Sequence, residues 1–497
     1  MENLLPSRGS PELAQYCAFK TAKSSYGEKD EAERRPSPQR IFLVDLPDEI
    51  LDDIFGYFCI HCRDDIFEMR IFISNWYDSF RERRKDRLAL RSLCLTSKRL
   101  RNIAQPILYH VFPVAPSGPL LPSEDYAWPQ RPGPFEKTII KHSDLATAVR
   151  HVHTVIRDLR FDDYRDGRSL TGGEVDAYTL RWRPTPSHLA ALARILAGLP
   201  NLQRITVTRS MWQSRALVRQ AMQSAGVRQL SIRTLDLFNP WGDWGAMGNV
   251  LVELAAESLR ELNVESMSTW SMWKWELPKK LERLECLRIR GELRPQADDL
   301  GIVLELLGCE RLVTFTHHAT LTSGCSDMYL TPRAARLLQR NRHTLRSLML
   351  NFSFSDPSWE PVSFMSYLDL PSFSVLENVF LNAFSLFRWS EEDVSHHDPD
   401  NDKDKDVLTQ LLPTSLISLR LLNRVLHGDP RKQLEERLLR ALWGLVDALA
   451  RGKFPNLRRV WYNITNNGPA WTALIREFAA CGVEFGLGRS HWIRAWG

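Results

Sequence analysis

The 497-residue sequence contains no apolar run approaching the ~18 residues that a membrane-spanning helix requires. Met1 to Gly9 lacks the charged start and long apolar core of a secretory signal, so export is not expected. Cysteines are few: eight are scattered, mostly among apolar neighbours, as buried thiols in a reducing compartment would be. Concentrated charge of one sign is also missing. The formal net charge is only +5 and mixed along the chain, whereas nucleic acid or an anionic membrane would call for a basic stripe. The densest basic stretch, "RERRKDR" (Arg81 to Arg87), reads as a solvated charged loop. A glycine-rich phosphate loop, a GxSxG elbow, an HExxH pair and kinase signatures are all missing, so no enzyme is expected. The histidines of "RHVH" (150–153) and "THH" (316–318) have no nucleophile or carboxylate nearby in sequence and read as strand or surface packing. These absences point to a soluble cytoplasmic or nuclear protein without cofactor, nucleic acid or membrane as partner.

What is present begins after a polar, flexible lead-in over residues 1–40. "LPDEILDDIFGYF" (Leu46 to Phe58) is predicted helical. Pro47 suits the first turn, Asp48 and Glu49 oppose the positive end of the helix dipole, and Ile50, Ile54 and Phe55 share a face flanked by Leu51 and Phe58. "LALRSLCLTSKRLRNIAQPILYHVF" (Leu88 to Phe112) repeats the design. Leu90, Leu93, Cys94, Leu100, Ile103 and Ala104 are apolar, and Lys98, Arg99 and Arg101 turn to water, with a break at Gln105–Pro106. Together they carry more apolar surface than a short helical pair can hide. Seven prolines between 113 and 134 then predict a stiff linker or strap over 113–137, without regular helix or central strand.

Beyond the prolines the chain repeats itself. "LPNLQRITV", "LERLECLRI", "FSVLENVFL" and "FPNLRRVWY" share one apolar spacing, with shorter or looser matches between. Anchored on Leu202, Leu230, Leu259, Leu284, Leu312, Leu345, Leu376, Leu416 and Leu457, the steps are 28, 29, 25, 28, 33, 31, 40 and 41 residues. A motif recurring at such a period predicts a solenoid over 138–497. Amphipathic stretches such as "HLAALARILAGL" and "LEERLLRALWGLVDALARG" lie between anchors, so each unit is helix then strand and the strands stack into a parallel sheet. Ile205, Val207, Leu287 and Ile289 are predicted to point inward, and Arg204, Thr206, Arg288 and Arg290 outward. "WTALIREFAACGVEFGLG" would cap the open end.

Three constellations resemble chemical sites. "FCIHC" sets Cys59, His61 and Cys62 at metal-ligand spacing, but zinc wants a fourth ligand and usually a second pair, and no CxxC follows. No metal is expected there, only packing at a helix end. "HHDPDNDKDKD" (His396 to Asp406) imitates a calcium loop, yet Lys405 occupies the glycine position and Leu411 the bidentate glutamate position, so an acidic mobile insertion over about 391–406 is expected. Six tryptophans, Trp212, Trp241, Trp244, Trp270, Trp273 and Trp275, crowd one region with Arg209 and Lys274. Aromatic anchors favour protein interfaces, making these residues the first candidates for a target-binding rim; the plainer alternative is that they fill the wide core of irregular repeats.

"LPDEILDDIF", "LALRSLCLTSKRLRNIA" and "QPILYHVF" resemble the F-box, a small helical domain, here over residues 41–112 with a long insert at 59–87. The insert's "FCxHC"-like start is similar to that of F-box proteins of filamentous fungi. The remainder resembles an irregular leucine-rich repeat array lacking a regular asparagine ladder. The resemblance implies a small all-α F-box followed by a right-handed α/β leucine-rich-repeat solenoid with a parallel sheet. It also implies that the exposed apolar face docks on the Skp-family adaptor of an SCF-type (cullin–RING) ubiquitin ligase, while the solenoid grips a protein substrate. The adaptor contacts it implies are Leu46, Pro47, Ile50, Ile54, Leu93, Leu95 and Leu100, with Glu49, Lys98 and Arg99 at the rim. The competing expectation is a ligase-independent scaffold, in which the helical module caps the solenoid and buries the Ile50–Ile54 face within its own chain.

Overall fold

A computed structural model describes residues 42–59, 62, 76–114, 132–155, 186–208, 215–239, 245–266, 280–293, 299–321, 330–354, 368–387, 403–422, 429–463 and 468–488. The chain divides into two units, Met1–Pro47 and Asp48–Gly497. In the first, a short 3-10 turn, Leu43–Asp45, is closed by the Asp45 amide donating to the Phe42 carbonyl at 2.9 Å. The Phe42 amide in turn donates to the Asp45 carboxylate at 3.1 Å.

The second unit starts with three helices, α1 (Asp48–Gly56), α2 (Trp76–Thr96) and α3 (Lys98–Tyr109). The "RERRKDR" stretch is not a loop: it lies inside α2. Its mixed-sign charges are compatible with a helix, and the helix expected from Leu88 onward begins earlier, at Trp76. Ser97 separates α2 from α3 by capping the latter, its hydroxyl accepting from the Leu100 amide at 3.1 Å. The expected break at Gln105–Pro106 does not occur, and α3 runs through Pro106 to Tyr109. A proline in a helix removes one backbone donor and strains the turn before it, and the packing of Ala104 and Ile107 holds the helix across it.

Helix α3 feeds directly into β1 (Val111–Val114), the first strand of a twelve-stranded, all-parallel sheet whose order follows the chain, β1 through β12. The sheet therefore begins within the proline-rich region and not at 138. Pro113 is tolerated because β1 pairs on one side only, with β2 (His151–Val155). Pro132 and Pro134 sit in the first turn of helix α4 (Pro132–Lys141), where proline costs no hydrogen bond. Strands β3 (Arg204–Thr208), β4 (Thr234–Asn239), β5 (Glu261–Ser266), β6 (Cys286–Leu293), β7 (Thr314–Leu321) and β8 (Ser347–Phe354) follow. The sheet is completed by β9 (Asn378–Asn382), β10 (Ser418–Leu422), β11 (Arg459–Asn463) and β12 (Glu484–Leu487).

Strand order equal to chain order, with helices between, is the signature of a solenoid: each unit covers the apolar face of its neighbour. One side-chain row makes this explicit. Phe112, Val152, Ile205, Leu235, Leu262, Leu287, Phe315, Leu348, Val379, Leu419, Val460 and Phe485 are register partners across all twelve strands, and all are buried. They join helix residues in one continuous core. The turn before each strand is also repeated. The carbonyls of Arg150, Gln203, Arg233, Arg260, Glu285, Val313, Arg346, Glu377 and Ile417 each accept two successive amides from the next unit, between 2.7 and 3.2 Å.

The leucine anchors sit two residues before their strands, with one exception. At β4 that position is held by Ile232, not Leu230, although both are buried. The acidic insertion also needs revision at its C-terminal end. Residues 403–411 form a helix (Lys403–Leu411, α11 after the six helices Ser143–Ala148, Pro186–Ala197, Arg215–Ser224, Gly245–Ala255, Asp299–Leu307 and Pro332–Gln339). Asp404 is buried there, accepting from Arg437 at 2.9 to 3.1 Å and Arg440 at 2.8 Å, both on helix α12 (Asp429–Ala450). Asp406 is exposed on the same helix, and the insertion's acidic residues before Lys403 lie outside the described residues. The expected end cap is present as helix α13 (Pro469–Ala480) and β12, with Trp471 stacked between Tyr462 and Phe485.

Candidate protein-binding face and a thiol–imidazole cluster

Helix α1 carries two apolar faces. Leu51 and Phe55, one turn apart, are fully buried. Ile50, the neighbour of Leu51, is 46% exposed, and Tyr57 just past the helix is 71% exposed. Helix α2 likewise buries Leu90 while leaving Leu95 at 73% exposure. Internal packing is therefore satisfied by one set of side chains, and the other set remains available.

The residues expected at an adaptor interface divide accordingly. Glu49, Ile50, Leu95, Lys98 and Arg99 are exposed, and Ile54 and Leu93 are half-buried. Arg99 is tied to Asp48 at 2.6 Å, linking α3 to the start of α1. Leu100 is a correction: at 3% exposure it belongs to the internal core with Ala104 and Ile107, because the first turn of α3 points it inward at the 3- to 4-residue spacing of that face. In the first unit, Leu46 is half-buried and Pro47 exposed. Phe42 and Val44, which the sequence reading passed over, are 63% and 51% exposed.

The substrate-rim candidates Arg209, Trp212, Trp241, Trp244, Trp270, Trp273, Lys274 and Trp275 all lie outside the described residues. The described outer face of the sheet has a different character. Arg204 donates to Asp236 through Nε at 2.7 Å and Nη2 at 3.0 Å, Thr206 donates to the same carboxylate at 2.5 Å, and Asn263 at 2.8 Å. Farther along, Arg288 pairs with Glu261 and Arg290 with Glu265. These side chains point outward, as the alternation predicts, yet Thr206 and Asp236 are fully buried in their own network. Burial pushes the Cys286 thiol up to about 12, which leaves it neutral. Past β7 the central outer row mixes large apolar residues with a cation, running Met349, Phe380, Arg420 and Trp461. Of the histidine pairs, His151 and His153 share the outer face, with His151 Nε2 2.8 Å from the Thr206 hydroxyl, whereas His317 faces the core.

A cluster that sequence spacing did not assemble lies where α1 and α3 end. Cys59, Cys62 and His110 bring their ligand atoms within 4.8 Å of one another. His110 Nδ1 is 3.2 Å from Cys62 Sγ and 3.9 Å from Cys59 Sγ. His110 was invisible to motif reading because it follows the cysteines by about fifty positions and is brought to them only by the packing of α3 on α1. His61, predicted alongside the cysteines, lies outside the described residues.

The fold defines an α/β solenoid of helix–strand units with a three-helix segment running into its first strand. Among the described residues no helix is long and apolar enough to cross a membrane. No protein-family model matches the chain, and a search of curated proteins finds no relative.

Proposed function

We propose that the chain is a recognition subunit of an SCF-type ubiquitin ligase, with an F-box formed around α1, α2 and α3 and a target held by the solenoid. The observation that carries this reading is the second apolar face: Ile50, Tyr57 and Leu95 stay exposed although Leu51, Phe55 and Leu90 already fill the internal core. Exposed apolar anchors with charged neighbours suit a protein interface. The chain itself would make or break no bond, and would act by raising the target's effective concentration near the ubiquitin-loaded enzyme.

Co-purification of the full chain with a Skp-family adaptor tests this. Wild type should capture the adaptor stoichiometrically, and Ile50→Asp should weaken capture at least about tenfold while thermal stability stays within about 0.5 kcal/mol. An adaptor that ignores the wild-type chain, or binds Ile50→Asp equally well, would overturn the assignment.

A scaffold reading is favoured by a different observation. Helix α3 continues without interruption into β1, and Phe112 of β1 stacks on Phe135 of α4, so the helices also serve as an end piece of the solenoid. A scaffold whose helices served only as that end piece would capture no adaptor, and its Ile50→Asp variant would match wild type in target binding.

A further inference from the structure

We propose that Cys59, Cys62 and His110 bind a zinc-class divalent ion that fastens the end of α1 to the junction between α3 and the sheet. This does not depend on the ligase reading. A tetrahedral zinc with Zn–S near 2.3 Å and Zn–N near 2.0 Å sets its sulfur–nitrogen edges at about 3.5 Å and its sulfur–sulfur edge at about 3.8 Å. The two sulfur–nitrogen distances, 3.2 and 3.9 Å, bracket that edge, and all three ligand atoms fall within 4.8 Å of one another. The donor set is two thiolates and an imidazole, which suits zinc and not the oxygen-seeking magnesium or calcium.

The backbone fixes Cys59 and His110 before any ion arrives. Successive turns carry the chain off α1, with the Phe58 amide bonded to the Phe55 carbonyl at 3.0 Å and the Cys59 amide to the Gly56 carbonyl at 2.9 Å. Gly56 lies against Cys62: a methyl there would meet its Cβ at 3.7 Å. His110 is held from both sides. Its amide donates to the Ile107 carbonyl at 3.1 Å, and its own carbonyl accepts from Arg150 at 3.0 Å and His151 at 2.8 Å. Cys59 is 4% exposed, so its thiolate has a dry side, whereas Cys62 is exposed and leaves a path for the ion and for a water as fourth ligand. The Arg87 guanidinium lies close enough to interact electrostatically with Cys59, and it anchors itself by donating to the Val111 carbonyl at 2.9 Å. Two thiolates neutralise the ion, and its bonds close the stretch between residues 59 and 110 onto the first strand.

The test is metal analysis of the full chain purified without chelator, followed by cobalt exchange. Wild type should carry about one zinc per chain and, with cobalt, show the visible absorption of a tetrahedral thiolate site. Cys62→Ser and His110→Ala should each lower zinc content at least about tenfold, whereas Cys94→Ser, outside the cluster, should leave it unchanged. Cys62 is exposed, so its serine variant removes a ligand without opening the core, and chelator should lower the melting temperature of wild type but not of Cys62→Ser. Wild-type protein without stoichiometric zinc would overturn the proposal, as would a Cys59–Cys62 disulfide by mass spectrometry or full zinc retention by Cys62→Ser.

Discussion

His317 stands in an otherwise apolar position of the inner face, between its register partners Ile289 and Leu350. It is 1% exposed, and burial holds its imidazole down to about 4, well below the ordinary histidine range. The folded state therefore keeps it neutral where the unfolded chain would already bind a proton. Between the unfolded value near 6.5 and about 4, the unfolded state holds more protons, so its contribution falls as pH falls through that window and is whole above it. The full swing is on the order of 3 kcal/mol. Thermal unfolding at neutral pH and at pH values down to about 4 should show His317→Leu losing less stability on acidification than wild type. Parallel losses in the two proteins would remove His317 as a cause of acid sensitivity. At this scale the sequence was partly legible. "THH" was read as strand or surface packing, and the register shows that His317 turns into the core. Asp236 gave no signal at all. Its burial depends on Arg204, Thr206 and Asn263 arriving from neighbouring strands.

Elements assemble here through close approaches that composition does not advertise. Gly444, in the middle of α12, lies against the backbone of α11, and a Cβ on it would overlap the Lys405 carbonyl. Helix propensity alone says Gly444→Ala should stabilise α12 by about 1 kcal/mol. Overpacking against a backbone oxygen costs typically about 1–3 kcal/mol, sometimes more, and the carbonyl cannot swing away as a flexible side-chain tip could. The second effect should win, since α11 is also pinned by Asp404 to Arg437 and Arg440 and by Lys405 to Asp447 at 2.8 Å. Gly444→Ala should therefore lower the melting temperature, and a raised one would show that α11 can move aside. The leucine anchors other than Leu230 were readable because each repeats at a fixed offset from its strand. The hydroxyls beside them were not. Ser258, Thr344 and Ser415 each precede an anchor and donate to the carbonyl at the anchor position one unit back, Ile232, Leu312 and Leu376 in turn, each at 2.9 Å. They do the work of an asparagine ladder with residues that also populate ordinary turns, so the pattern shows only in three dimensions. At β4 the hydroxyl reaches both candidate anchors, since Ser258 also donates to the Leu230 carbonyl at 2.8 Å, and it is the two-residue offset from the strand that marks Ile232 as the equivalent position.

From β1 to β12, one core runs through units that touch chiefly their chain neighbours. That arrangement makes stability a sum of local interfaces, with the ends weakest. The period in the sequence announced it, but the proline count misplaced the start of the sheet, since edge strands and first helical turns are the places where proline does no harm. The far end is closed by aromatic packing. Trp471 of α13 lies 5.1 Å from Tyr462 and 6.4 Å from Phe485 between ring centroids, and Phe478 stacks on Phe485 at 4.8 Å. Trp471→Ala removes the middle of this stack, a loss of about 3–5 kcal/mol at a buried aromatic site. In a globular domain with one cooperative transition, that loss would weaken protection everywhere. In a chain of nearest-neighbour interfaces it should stay local. Hydrogen exchange should then quicken in β11, α13 and β12, while amides of β3 through β8 keep their wild-type protection. Uniform acceleration along the sheet would mean that the units unfold together, and that damage at the cap is transmitted to the surface expected to hold a target.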